Sequence, residues 1–212
     1  MSIIVYGAPL SPYVRKVHAV AAEKGIAVEL KMSPPGNPDP DFVACSPFRK
    51  IPAMRDGDFS ICDSSAIVHY FEAIKPDPAM IPSEAKARAR TIWLEELADT
   101  IFVSAAGAMF FNRVVAGLMG LPGNEEAAEK AEREALPPVM DYLESIVPAA
   151  DGYLVEDRLT LADIAVASPF MNLRHMNTDL SRWPKTKAYI DTILARPSFT
   201  KLAPLEQRIL GK

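Results

Sequence analysis

The spacing of hydrophobic and polar residues changes part-way along the chain. Up to residue 74, short apolar and β-branched runs alternate with segments of helical spacing, whereas from residue 83 onward we find helical spacing alone. The first part predicts strand, helix, strand and then strand, strand, helix. The predicted strands are at 3–6, 27–32, 51–54 and 59–62, and the helices begin after Ser11 and Asp63. The proline-rich segment 33–41 predicts a loop.

The second part of the chain predicts a domain made only of helices. The predicted helices are at 85–117 (one helix or two), 126–146 (kinked or broken at Pro137-Pro138) and 184–194. Thr160-Leu161-Ala162-Asp163 is a capping box ahead of an apolar stretch. We therefore predict an α/β domain at 1–76, a linker at 77–84 and an all-α domain at 85–212.

Composition and charge narrow the class of protein. The chain has 212 residues, 49% of them hydrophobic, and a formal net charge of −4 with a sequence pI near 5.5. These values are typical of globular proteins, and the absence of a basic surplus argues against nucleic acid as a partner. The first residues lack the features of a signal peptide, and no run approaches the roughly 18 apolar residues of a membrane span. We expect a cytosolic protein without a membrane partner.

The cysteines and histidines give no sign of a metal or disulfide site. Cys45 and Cys62 have the spacing of neither a redox C-x-x-C motif nor a zinc site, so we expect two reduced thiols. His18, His69 and His175 form no local metal-ligand pattern. We therefore expect chemistry that needs no metal.

Two signatures in the first part of the chain, in register with each other, resemble those of the glutathione transferases. Ser46 to Met54 is similar to the proline loop of that family, and Asp63-Ser64-Ser65-Ala66-Ile67 is similar to its acidic-Ser-x-Ala-Ile signature. Ser11 to Val17 looks like the serine-type active-site segment of the plant tau and phi classes and their bacterial relatives. The resemblance also covers 159–165 and 183–199, and so nearly the whole chain. It implies a thioredoxin-like βαβ-ββα domain followed by an all-helical domain.

The resemblance implies that glutathione is a co-substrate held by the first domain. Ser64 would meet the γ-glutamyl carboxylate where a helix dipole favours an anion, and Asp63 would meet the ammonium. Pro52 would be a cis-proline that exposes the Ile51 backbone to the cysteinyl backbone of glutathione. Lys50 would bind the glycine carboxylate. The neighbouring Arg49 is a possible helper at that end.

Ser11 is the candidate catalytic residue. A thiol with a reference pKa of about 8.5 is a poor nucleophile, and a hydroxyl that donates to sulfur at a helix N-terminus favours the thiolate. Ser11 would act as a donor, so no histidine is needed, and Tyr13 or Arg15 could assist. Ser11-Pro12 is also what a helix start requires for structural reasons alone. Serine in place of cysteine argues against thiol-disulfide exchange.

The second substrate and the oligomer are implied less directly. Tyr13 and the group Met109, Phe110 and Arg113 are candidates for the pocket of a small apolar electrophile, although the group on the long helix could equally belong to the core. The resemblance implies a homodimer, with Phe48 either plugging into the partner or packing in its own core.

Several alternatives stay open at this point. Asp63-Ser64 could be only an N-cap pair, and Lys50 only a surface cation. An isomerase, dehalogenase, ether-cleaving enzyme or peroxidase would share the same first domain, and a non-catalytic binding protein could keep the fold. The stretch 32–37 lacks the basic residue that the phi class carries there, and Asp63 replaces the more frequent glutamate. Glutathione affinity is therefore expected to be modest.

Overall fold

A computed structural model describes residues 3–33 and 39–211 of the chain. By its internal contacts the chain divides into two units, one containing the residues up to Met80 together with those from Pro197 onward, and the other Ile81–Arg196. The first strands and helices of the first unit are β1 Ile3–Tyr6, α1 Pro12–Glu23, β2 Val28–Lys31, α2 Pro40–Cys45, β3 Ala53–Asp56, β4 Phe59–Cys62 and α3 Ser64–Ile74. Two further helices of the first unit follow the second unit in the chain. All six elements predicted from sequence in this part are confirmed.

The sheet of the first unit has the strand order β2-β1-β3-β4. β1 is parallel to β2, with Val5 opposite Leu30, and antiparallel to β3, with Val5 opposite Met54. A tight turn at Gly57, where φ is 61°, joins β3 to β4 in the predicted antiparallel hairpin. This is the βαβ-ββα arrangement that the resemblance implies.

Helix α2 was not predicted, and the predicted loop at 33–41 overlaps its start. Residues 34–38 of that loop lie outside the described part of the chain. Asp39 caps the helix by accepting a hydrogen bond from the Asp41 amide at 2.9 Å. The helix buries Phe42 and Cys45 against Tyr6 and Ala53 of the sheet. Six residues that follow a proline-rich segment give little helical signal on their own, so packing against the sheet decides this helix.

Among its described residues, all regular secondary structure of the second unit is helical. Its helices, followed by the two late helices of the first unit, are α4 Ala85–Leu118, α5 Glu125–Lys130, α6 Leu136–Ile146, α7 Leu161–His175, α8 Pro184–Leu194, then α9 Pro197–Thr200 and α10 Ala203–Ile209. The predicted capping box at Thr160 and Asp163 is confirmed. Every residue from 161 to 170 is buried, so α7 is the central helix of this unit.

The structure answers two questions that the sequence left open about the long helical segments 85–117 and 126–146. Residues 85–117 belong to one helix, α4, interrupted by π-helical turns at Leu97–Phe102 and Phe111–Val115. α5 and α6 are joined by a third π-helical turn, Ala131–Ala135, directly before Pro137-Pro138. A wider turn is a physical way to pass two residues that lack a backbone N–H.

The long helix α4 corrects one expectation about hydropathy. It contains an 18-residue window of mean hydropathy 1.6, of which 33% is buried, so by length and composition it is long enough to cross a membrane. The prediction that no run approaches a membrane span is therefore wrong on these two measures. Core helices of soluble proteins pass the same test.

The predicted border of the helical domain at residue 212 also differs from the structure. Residues from Pro197 onward pack with the first unit instead of the second. One contact of this packing is an ion pair that the sequence pattern does not reveal, between the fully buried Arg15 of α1 and Glu206 of α10.

Candidate active site

The register of the sheet brings three predicted site segments to one edge. Tyr6 is opposite Ala53, and Ala53 is opposite Cys62. The segment that leads to Ser11 follows Tyr6, Pro52 precedes Ala53, and Asp63 follows Cys62. Because β1 and β4 end, and β3 begins, at this row of paired residues, all three segments emerge from the same edge.

Close contacts hold these segments together. The Asp63 amide donates a hydrogen bond to the Pro52 carbonyl oxygen at 3.2 Å. A Cβ atom added to Gly7 would lie 2.4 Å from Cγ2 of Val14 in α1 and 3.5 Å from Cβ of Ile51. Only glycine therefore fits where the loop after β1 passes between helix α1 and the proline loop.

The proline loop is organised by Ser46, a residue to which the sequence analysis gave no role. Its hydroxyl is fully buried, accepts a hydrogen bond from the Lys50 amide at 2.9 Å and donates one to the Lys50 carbonyl at 2.8 Å. Arg49 has φ of 55°, and the Ile51–Pro52 peptide bond is cis, as the resemblance implies. The side chain of Lys50 is exposed.

Ser11 is the N-cap of α1, and its side chain is half-buried. Its Oγ accepts a hydrogen bond from the Val14 amide at 3.5 Å. A hydroxyl has two acceptor lone pairs and one proton, so capping leaves the proton available for another acceptor. The structural and the catalytic interpretations of Ser11 are therefore compatible.

Asp63 and Ser64 form the start of helix α3. The Asp63 carboxylate accepts hydrogen bonds from the amides of Ser65 and Ala66 at 2.9 and 3.0 Å, both through Oδ1. The backbone of Asp63 has φ of 88°, a left-handed value that is uncommon outside glycine and is often found at functional sites. Ser64 is buried, and within the described part of the chain its hydroxyl makes no hydrogen bond.

The remaining sequence candidates are Tyr13 and Arg15 in α1 and three residues of α4. Tyr13 is half-buried in the first turn of α1. In α4, Met109 has no exposed surface and Phe110 is 4% exposed, so Met109 packs in the core. Arg113 forms ion pairs with Glu125 and Glu132 at 2.7 and 2.8 Å, and these hydrogen bonds hold its pKa above its usual value.

Arg15, a candidate helper, is buried beside Glu206, to which its Nε donates at 2.9 Å. Burial lowers the pKa of Arg15, and the charge of Glu206 opposes that change. Within the described ranges, no group of three His, Cys, Asp or Glu side chains is placed to hold a metal ion.

Two family models match the chain. The N-terminal domain of glutathione S-transferase matches residues 5–79, and the C-terminal domain matches residues 110–202. The chain belongs to the glutathione S-transferase family. Glutathione S-transferase 3 of Zea mays is 33% identical to it over 205 residues, covering 93% of this chain and 91% of the maize protein.

Solved glutathione S-transferases share the fold. The apo form of glutathione S-transferase III has a TM-score of 0.80 and 30% identity, covering 96% of both chains. The enzyme from Methylobacterium radiotolerans, solved in complex with glutathione sulfonate, has a TM-score of 0.77 and 28% identity, covering 95% of this chain and 94% of the other. These likenesses agree with the two-part fold predicted from the sequence.

Proposed function

We propose that this glutathione S-transferase binds glutathione at the sheet edge marked by Tyr6, Ala53 and Cys62, and stabilises its thiolate with the Ser11 hydroxyl. The paired row of these three residues carries the proposal, because it gathers the segments of Ser11, Pro52 and Asp63 at one edge. The membership of the chain in this family supports the choice of ligand.

Each part of glutathione finds a chemically suitable group at this edge. The γ-glutamyl carboxylate accepts a hydrogen bond from Ser64 at the start of α3, where the helix dipole favours an anion. The ammonium donates to Asp63. The cysteinyl backbone pairs with Ile51 beside the cis-proline Pro52, and the exposed Lys50 binds the glycine carboxylate. The segment 32–37 lacks a basic residue, so a second cation at the glycine end is not expected there.

Ser11 supplies the thiolate stabilisation. Lowering the thiol pKa by about two units requires about 2.7 kcal/mol of preference for the charged form. A hydrogen bond to a charged group contributes about 1.5–3 kcal/mol, and the dipole at a helix N-terminus about 0.3–1 kcal/mol. The two effects together contribute about 1.8–4 kcal/mol, a range that includes the required value, and the half-buried position of Ser11 limits competition from water.

The reaction is then attack by the thiolate on an electrophilic carbon. A carbon–sulfur bond forms, the leaving group departs with its bonding electrons, and the thiol proton passes to solvent. For contact with a small apolar electrophile we propose Tyr13 of the first unit, and Phe110 and Arg113 of the second unit stay predictions from the sequence. We leave Met109 out of this set because it has no exposed surface.

Conjugation is favoured over disulfide exchange because a serine at position 11 cannot form a mixed disulfide with glutathione. Product analysis with an alkyl halide, a hydroperoxide and an isomerisable substrate separates conjugation from the related glutathione-dependent reactions.

The protein is proposed to be a cytosolic homodimer. Phe48 is 83% exposed, which excludes the alternative that it packs in its own core. An isolated large aromatic side chain in water is typical of a residue that anchors an interface. Sedimentation should find a dimer for the wild type and a larger monomer fraction for Phe48→Ser. A monomeric wild type would contradict the proposal.

The mechanism is tested by titrating the ultraviolet absorbance of bound glutathione thiolate with pH. Ser11→Gly removes the hydroxyl but is a tolerated N-cap, with a stability loss of only a few tenths of a kcal/mol. We expect the wild type and Ser11→Thr to lower the bound-thiol pKa, and Ser11→Gly to return it towards the free value. Conjugation of an activated chloronitroarene should fall in parallel.

Binding of glutathione without a lowered thiol pKa in the wild type would show that Ser11 is only a cap. No binding at all would remove every ligand assignment made above.

A further inference from the structure

The terminal segment, residues 197–211, is attached to both ends of helix α1. At the last residue of the helix, Glu23 accepts a hydrogen bond from the Ser198 hydroxyl at 2.6 Å. Near its start, Arg15 donates from Nε to Oε1 of Glu206 at 2.9 Å. The two contacts lie eight residues apart on α1, about 12 Å at 1.5 Å per residue, so the segment holds the helix at two separate points.

The two attachments differ in strength. Arg15 and Glu206 are both 0% exposed, so their charges interact where water does not screen them. Both hydrogen bonds are charge-assisted, but only in the Arg15–Glu206 pair are both partners charged and fully buried. Removing one partner would take a counter-charge away from a buried ion, which is strongly destabilising. Ser198 donates to a carboxylate that is only half-buried, so this second attachment is the weaker one.

The strong attachment lies one turn from Ser11. The Arg15 amide donates to the Ser11 carbonyl at 3.0 Å, which is the first backbone hydrogen bond of the helix. The cap bond from the Val14 amide to the Ser11 hydroxyl is 3.5 Å long, at the outer limit for a hydrogen bond. The position of the Ser11 hydroxyl therefore depends less on the cap bond than on the position of the first helical turn, which the Arg15 side chain anchors.

We infer that the buried Arg15–Glu206 pair positions the first turn of α1, and through it the Ser11 hydroxyl, for activation of the glutathione thiol. The inference rests on the proposed function of Ser11. Both members of the pair are positioning residues, since they act through Ser11 and do not touch the sulfur. The terminal segment thereby contributes to the reaction although it supplies no group to the site itself.

The test compares Glu206→Gln with Ser198→Ala in the full chain. We expect Glu206→Gln to raise the bound-thiol pKa by about one unit. At a pH below that pKa, where glutathione binds as the thiol, its affinity should change less than about twofold, because Asp63 and Ser64 are at the start of α3 and not on α1. At a pH below the bound-thiol pKa of both proteins, the kcat of Glu206→Gln should be about tenfold lower than that of the wild type. This difference in kcat should shrink at high pH, where the thiol is ionised in both proteins. Ser198→Ala should lower Tm slightly and leave the bound-thiol pKa unchanged.

A second variant covers the case in which Glu206→Gln fails to fold. The double variant Arg15→Met/Glu206→Leu removes both charges, which restores stability in many buried pairs. We expect it to have a Tm near that of the wild type and a raised bound-thiol pKa. A folded variant of either kind with the wild-type thiol pKa, or an equal pKa rise in Ser198→Ala, would overturn the inference.

These outcomes are distinct from a failure of the proposed function. If the wild type itself binds glutathione without lowering the thiol pKa, both the proposed role of Ser11 and this inference are wrong. If the wild type lowers it and the variants of the pair do so equally, this inference alone is wrong.

Discussion

Asp63 combines a structural contact with a proposed ligand contact, and asparagine separates the two. The carboxylate caps α3 through two backbone amides, and the backbone at this residue has φ of 88°. Asparagine is as good an N-cap as aspartate and is enriched at positive φ. Asp63→Asn should therefore change the free energy of unfolding by less than about 0.5 kcal/mol. Asp63→Ala loses the cap and replaces a residue type that is enriched at positive φ by one that is not, so it should cost about 1–2 kcal/mol.

The expected effect on binding follows from the lost charge. A hydrogen bond to a charged group contributes about 1.5–3 kcal/mol, and every 1.4 kcal/mol is a factor of ten in Kd. Because Asp63 is exposed, water screens part of this interaction, and we use the lower end of the range. Asp63→Asn should therefore weaken glutathione binding about tenfold.

Calorimetric titration with two ligands checks this prediction. A glutathione analogue without the γ-glutamyl ammonium should bind the wild type about tenfold more weakly than glutathione does. It should bind Asp63→Asn about as well as glutathione does. If Asp63→Asn keeps the wild-type preference for the ammonium, Asp63 is only a cap and the ammonium binds elsewhere.

Three further predictions concern stability. Gly7→Ala should lower Tm, since its Cβ would lie 2.4 Å from Val14; Gly107→Ala, with 3.5 Å to Val103, is the control and should raise Tm slightly by its higher helix propensity. Burial lowers the pKa of His18 from 6.5 to about 4, so unfolding takes up a proton between these values. The free energy of unfolding should fall by about 3 kcal/mol as pH drops from 6.5 to 4. In urea denaturation, the free energy of unfolding of His18→Gln should not show this decrease. Tyr189→Phe removes the hydroxyl that donates a hydrogen bond to the buried Asp163. The free energy of unfolding should fall by about 1–3 kcal/mol, while glutathione binding stays unchanged. An unchanged melting curve would contradict the stabilising role of this hydrogen bond.

Local signals explain why much of the fold was predictable. A helix start after Ser11-Pro12 and a turn at Gly57 depend on caps and backbone angles within a few residues, and both were predicted correctly. The start of α3 after Asp63 and the capping box at Thr160 follow from the same kind of signal. Helix α2 was missed because its stability comes from the packing of Phe42 and Cys45 against the sheet.

The candidate site was predictable as a set of residues and unpredictable as a geometry. Motifs identified Ser11, Pro52, Asp63 and Ser64. The sequence alone does not show that one carboxylate oxygen of Asp63 already accepts hydrogen bonds from two backbone amides. The role of Ser46 in holding the Lys50 backbone was also missed, because a single serine in a loop has no periodic or capping signal.

The sequence by itself determined the strands, most helices, the family resemblance and the candidate residues, because periodicity, caps and turns are energies of neighbours along the chain. Only the tertiary structure decided that Tyr6, Ala53 and Cys62 form one row and so bring distant segments to one edge. It also decided that Arg15 is buried against Glu206, which is 191 residues away along the chain. A cation in an amphipathic helix is usually read as exposed, and its burial is possible only where the fold supplies a counter-charge.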